Sequence, residues 1–102
     1  SRYDAGGKFA MHRDGPFVVS QDTRSIFTVL VYLNDDFKGG VTAFEGEDRG
    51  ELDLFQPTTG SALVFTHDSR HEGQPVAEGC KYVLRTDVMF QRVDDLGLGQ
   101  QV

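Results

Sequence analysis

Ser25 to Leu33 reads Ser-Ile-Phe-Thr-Val-Leu-Val-Tyr-Leu. These residues are β-branched or aromatic almost throughout, the types that fit a pleated surface. A strand without polar alternation is expected to be covered on both faces. Alternation puts Ile26, Thr28, Leu30 and Tyr32 on one face and Phe27, Val29, Val31 and Leu33 on the other. A second long strand is expected over Lys81 to Phe90, its odd face carrying Lys81, Val83, Arg85, Asp87 and Met89. Shorter extended pieces are expected at Tyr3 to Asp14, around Gly6-Gly7, and at Val41 to Phe44, Leu52 to Gln56, Ser61 to Thr66 and Pro75-Val76. Phe17 to Thr23 reads as a loop, and His67 to Gly73 as a polar connector. Turn signals recur at roughly the 8–12-residue spacing of a sandwich or barrel. No segment shows a convincing helical period. The expectation is an all-β fold of about eight short strands closed as a jelly roll. One domain should occupy residues 1–90, with a weakly ordered C-terminal tail over 91–102.

Two chemically loaded side chains sit at the end of an early strand. His12 and Asp14 are two apart, so on extended chain both project from one face. An imidazole beside a carboxylate makes a two-point metal grip. A third ligand has to come from elsewhere, and His71 is the candidate. Two His and one carboxylate on one face of an octahedral ion leave positions open for substrate and oxygen, which suits non-haem Fe(II). His-x-Asp alone is equally compatible with a surface histidine next to a turn. The later pattern adds weight: His71, Gly73, Pro75-Val76, Gly79, and then Lys81, ten residues past the histidine. A cation there could hold the far end of a dicarboxylate whose near end chelates the metal.

Composition narrows the classes. With 102 residues the chain is long enough for one compact domain and too short for two. Eight phenylalanines promise an apolar core. A formal net charge of −6 argues against a nucleic-acid partner, which calls for a basic stripe. No apolar run approaches the ~20 residues of a membrane span, and no secretory leader is visible, so no membrane partner is expected. Cys80 is the single cysteine, so no internal disulfide is possible. That fits a reducing, cytoplasmic setting. Cys80 itself reads as an inert strand-edge residue.

The full set of motifs runs Tyr3-x-x-Gly6-Gly7-Lys8-Phe9-x-x-His12-x-Asp14, then Thr28, then Tyr32-Leu33-Asn34-Asp35. Gly39-Gly40-x-Thr42-x-Phe44, Pro57-x-x-Gly60-x-Ala62-Leu63-x-Phe65 and His71-Glu72-Gly73-x-Pro75-Val76-x-x-Gly79-x-Lys81 follow in that order. The set resembles the 2-oxoglutarate- and Fe(II)-dependent oxygenases of the prolyl 4-hydroxylase type, from Tyr3 to about Phe90. The resemblance implies a double-stranded β-helix, a jelly-roll fold, agreeing with the strand count. It implies His12, Asp14 and His71 as iron ligands, and Lys81 on the distal carboxylate of 2-oxoglutarate. Tyr32 matches a tyrosine sharing that carboxylate, Tyr3 one that also faces the co-substrate, and Thr28 a possible lining residue. Implied cofactors are Fe(II), 2-oxoglutarate and O2, with ascorbate possible. The implied reaction hydroxylates a C–H bond, of a peptidyl proline or of a small molecule, and releases succinate and CO2.

Rival assignments exist. A local His67, Asp68 and His71 cluster would leave His12-x-Asp14 without a role, and His67 and Asp68 point apart on a strand; His67 reads instead as a polar rim residue. Arg85 shares the face of Lys81 but stands about 13 Å further along. Spacing favours Lys81, with Arg85 second for the co-substrate. Phe9, Phe17 and Phe44 are expected as pocket walls, and the loops Gly15 to Arg24 and Asp35 to Gly40 as its rim. A non-catalytic jelly-roll binding module, or a cupin-like metal enzyme independent of 2-oxoglutarate, would share much of this pattern.

Overall fold

The computed structural model describes residues 1–48 and 50–93. Among them no helix occurs. The strands are β1 (Arg2–Tyr3), β2 (Phe9–His12), β3 (Val18–Ser20), β4 (Thr23–Tyr32), β5 (Lys38–Gly39), β6 (Thr42–Glu45), β7 (Leu52–Phe55), β8 (Ala62–Thr66), β9 (His71–Gly73), β10 (Val76–Glu78) and β11 (Lys81–Gln91). Those beyond the expected eight are pairings of two or three residues. All three lie in segments expected as loops or connectors: β3, a short edge partner of β4, β5, which pairs with β10, and β9, which pairs on both sides. β9, His-Glu-Gly, is held by its neighbours and not by its own propensity, whereas Val18 and Val19 of β3 are strong strand formers.

β4 is the spine of the larger sheet. It pairs with β11 along most of its length, and with β8 and β3 on its other side, all antiparallel. β1 adds to the far edge of β11. The smaller sheet runs β2-β9-β6-β7, and β5 pairs with β10. Side chains bridge the two main sheets: the Tyr32 hydroxyl meets Thr42 Oγ1, and the Phe65 and His71 rings lie 4.5 Å apart. This is a jelly roll of two facing antiparallel sheets.

Between the sheets the interior is unusually polar. Ser25, Thr28, Thr42, His67, His71 and Lys81 are buried, alongside Tyr32, Ala43, Phe65, Val76 and Val83 among the described hydrophobic residues. The core expected from eight phenylalanines is therefore not a phenylalanine core: Phe65 alone is buried among those described, while Phe9, Phe17 and Phe90 are exposed. The space they would fill is a site.

β4 departs from simple alternation at one point. Opposite β11 the register jumps between Val88 and Met89, which pair with Phe27 and Ser25 and leave Ile26 over. A bulge of this kind inverts the side-chain parity beyond it. Ser25 is turned inward and fully buried, and Ile26 outward. The outer face of the larger sheet is not covered among the described residues, contrary to the expectation for β4: Leu33, Val64 and Leu84 are all exposed. The C-terminal strand runs to Gln91, one residue into the segment expected as tail, and Arg92 N–H donates to Asp22 O at 2.6 Å. The rest of the expected tail, residues 94–102, lies outside the described residues.

Candidate metal centre and the pocket around it

Register brings the two histidines together. On β2 and β9, His12 is directly paired with His71, and their rings sit 4.3 Å apart. Asp14 lies just past β2, where its N–H donates to His67 O at 3.1 Å and ties the chain across to the larger sheet. The carboxylate so placed is 4 % exposed, with Oδ1 at 3.1 Å from His12 Nε2 and 3.8 Å from His71 Nε2. One ligand atom from each of His12, Asp14 and His71 lies within 4.8 Å of the other two.

The donor chemistry suits a metal ion. His12 Nδ1 lies 2.6 Å from Ala10 O, and His71 Nδ1 2.9 Å from Ser69 O. A carbonyl only accepts, so each Nδ1 carries a proton, and in the neutral ring Nε2 is the nitrogen left with a lone pair, on the side of Asp14 where a shared ion would sit. Burial pushes the His71 imidazole below its ordinary value, against the opposing pull of Ser69 O and Asp14. The shift favours the neutral ring, the form a metal ligand takes. Burial alone would raise Asp14, but the Thr28 hydroxyl, Arg85 and the two histidines together hold it below the usual carboxylate range.

Lys81 closes the other end of the cavity. Its register partner is Tyr3, and its side chain passes between the rings of Tyr3 and Tyr32, 5.4 and 5.9 Å from Nζ. Nζ donates to Gly40 O at 2.8 Å. Lys81 is 5 % exposed, and no carboxylate lies within 4 Å of it among the described residues. Burial lowers its affinity for a proton and raises that of the neighbouring Tyr32 hydroxyl for its own. A buried ammonium offers three N–H donors, of which Gly40 O takes one, a chemistry that suits an anion. Gly40 has φ +64, and a Cβ there would meet Phe37 at 2.8 Å and the Lys81 stem at 3.1 Å.

Tyr3, Tyr32, Lys81, Arg85 and the three candidate ligands all line one cavity, with Leu30, Thr42 and Gly73. Thr28, expected there, does not line it. It donates to Asp14 Oδ2 at 2.6 Å and is fully buried behind the carboxylate. Arg85 stands at the metal end, 3.9 Å from Asp14 Oδ2 and 3.5 Å from Asp87 Oδ1, and so away from Lys81. Of the expected walls, Phe9 lines the cavity; Phe17 is exposed, and Phe44 packs behind His71 at 5.7 Å. No residue of Gly15 to Arg24 or Asp35 to Gly40 lines the cavity; Gly7 to Phe9 and Glu72 to Gln74, on and beside β2 and β9, do.

His67 was expected at a polar rim and is instead buried. Alternation on β8 carried one residue further, Leu63, Phe65, His67, would have turned it inward. The rival cluster of His67, Asp68 and His71 does not form, since His67 is engaged by Ser25 and Thr28.

The model of the family described as the 2OG-Fe(II) oxygenase superfamily matches residues 1–86. The chain belongs to that superfamily. Membership implies Fe(II), 2-oxoglutarate and O2, and the His-Asp-His donor set fits the metal. A protein of Acanthamoeba polyphaga mimivirus named "Putative prolyl 4-hydroxylase" is 36% identical over 75 residues, which cover 64% of this chain and 29% of that protein. The crystal structure of a 2OG-Fe(II) oxygenase family oxidoreductase from Burkholderia pseudomallei superposes with a TM-score of 0.71 at 24% identity, covering 87% of this chain and 39% of the other. A Pseudomonas putida prolyl-4-hydroxylase gives 0.67 at 23% identity, covering 91% and 50%. The superfamily member described here thus spans half or less of the length of each of these relatives. No helix among its described residues is long and apolar enough to cross a membrane.

Proposed function

We propose that this chain carries the catalytic jelly roll of a 2-oxoglutarate- and Fe(II)-dependent dioxygenase that hydroxylates a C–H bond, with a peptidyl proline as the first substrate to try. The observation that supports it best is the convergence of His12 Nε2, Asp14 Oδ1 and His71 Nε2, with both Nδ1 atoms spoken for. Those three residues hold Fe(II). Bound iron, with 2-oxoglutarate and O2, supplies oxidative decarboxylation to succinate and CO2 coupled to hydroxylation. Lys81 takes the distal carboxylate of 2-oxoglutarate, and Tyr3 and Tyr32 flank its ammonium. Arg85, at the metal end, is too far round to share that carboxylate. The likeness in name to prolyl hydroxylases supports a peptide substrate; a small molecule is the other outcome of the test.

The test is succinate release from 2-oxoglutarate with Fe(II), with and without proline-containing peptides, alongside hydroxyproline analysis. The wild-type protein should form succinate, and His12→Ala should abolish it. Succinate coupled to hydroxyproline supports the peptide; succinate uncoupled from every peptide moves the substrate to a small molecule. A metal-loaded, folded protein that leaves 2-oxoglutarate intact sinks the proposal in favour of a binding module. Ascorbate, if it acts, would restore rates that decline during turnover.

A further inference from the structure

A line of buried hydrogen bonds runs inward from Asp14. Thr28 Oγ1 lies 2.6 Å from Asp14 Oδ2 and 2.8 Å from His67 Nδ1. His67 Nε2 lies 2.7 Å from Ser25 Oγ, which lies 2.7 Å from the Phe17 backbone N–H. Ser25 and Thr28 are fully buried and His67 is 5 % exposed.

The protons can be placed by counting donors. The Asp14 carboxylate only accepts, so the single Thr28 proton goes to it. Thr28 can then only accept from His67, which puts a proton on Nδ1. In the neutral ring Nε2 is then bare, and the Ser25 hydroxyl donates to it. Ser25 in turn accepts from Phe17 N–H. Every link has one donor and one acceptor, and the chain has one direction, from the Phe17 amide to the carboxylate. The Nδ1–H form of His67 matters because a bare Nδ1 would compete with Asp14 for the Thr28 proton.

We propose that His67 is a positioning residue for the metal-binding carboxylate. Acting through Thr28, it fixes Asp14 Oδ2 so that Oδ1 faces the ion between His12 and His71. The inference rests on Asp14 being a ligand, as the proposed function has it. Groups of this kind around a metal orient its ligands, and losing one typically weakens metal binding by about 10–100-fold. A purely structural histidine would do something else: it would join β8 to β4, and its loss would lower stability without touching the ion.

Mn(II) titration calorimetry on the full chain separates the two, with melting temperature of the metal-free protein read in parallel. His67→Phe and Thr28→Val should each weaken Mn(II) binding by roughly tenfold or more. The double variant should bind no more weakly than Thr28→Val alone, since His67 acts only through that hydroxyl. His67→Asn, which keeps an N–H near the Nδ1 position, should recover most of the wild-type affinity. Ser25→Ala, which unlocks the tautomer, should weaken binding in the same direction and serves if His67→Phe does not fold. Wild-type affinity in His67→Phe with a lowered melting temperature overturns the inference, as do additive losses in the double variant. If the wild-type protein itself takes no Mn(II), it is the metal assignment that fails. If the wild type binds and the variants match it, the positioning role alone fails.

Discussion

Lys81 shows how a residue can be costly to the fold and useful to the site. Its ammonium is buried and bonded only to Gly40 O among the described residues. Burial holds its proton affinity below the ordinary value of 10.5. The sign follows: between the lowered value and 10.5 the unfolded chain binds the extra proton, so stability rises with pH in that window. Below the window the buried charge is a standing cost, relieved when a carboxylate arrives. Lys81→Met should therefore leave the melting temperature of the metal-free protein unchanged or higher at neutral pH. It should also weaken 2-oxoglutarate binding by about 10–100-fold, the worth of a charged hydrogen bond. Weaker folding with unaltered 2-oxoglutarate affinity, measured by titration, would contradict this. That His12, Asp14 and His71 converge and that Lys81 faces the same cavity agrees with what spacing and family likeness suggest, because chemistry marks such residues. Thr28 was placed on the right face but one layer too close to the co-substrate. Its partner His67 was missed because a histidine after a strand looks like a turn residue until the strand's alternation is carried through it.

At the scale of elements, the site depends on short strands that have little propensity of their own. β9 has three residues, yet it sets His71 opposite His12 on one side and opposite Phe44 on the other. No sequence pattern announces such a strand, since its stability comes from two neighbours. The long β4 and β11 were legible from composition, but the bulge that turns Ser25 inward was not: it arises from the register against β11, not from β4 itself. Behind β9, Phe65 stands 4.5 Å from the His71 ring and 5.0 Å from Phe44. Phe65→Ala should cost about 3–5 kcal/mol of stability, read by urea unfolding, and should loosen metal binding by freeing His71. A loss below about 1 kcal/mol would show that this packing does not support the site. The β5–β10 pairing is similarly exacting. Gly39 has φ +75, and a Cβ there would stand 2.5 Å from Pro75 O. Gly39→Ala should destabilise by about 1–3 kcal/mol through strain and displaced backbone, and should also shift the neighbouring Gly40 carbonyl that holds Lys81.

For the molecule as a whole, the interior is shared between packing and chemistry, and the polar half is arranged around one point. That arrangement predicts a protein stabilised by its metal. At a free metal concentration of about 100 times Kd the gain is about 2.7 kcal/mol. In a domain of this size that is a rise in melting temperature of roughly 10 °C or more, reversed by a chelator. All-β architecture and jelly-roll closure could be read from turn spacing and two long strands. That the described residues leave the outer face of the larger sheet uncovered could not, because the same residues would be written for a covered one. The most direct measurement is the stoichiometry of Mn(II) binding by calorimetry, in the wild-type chain and in His71→Ala, with circular dichroism confirming that the variant keeps its β-sheet. One ion per chain in the wild type and none at the same concentrations in His71→Ala is the expected result. Equal binding by the two proteins would contradict a metal centre built from His12, Asp14 and His71.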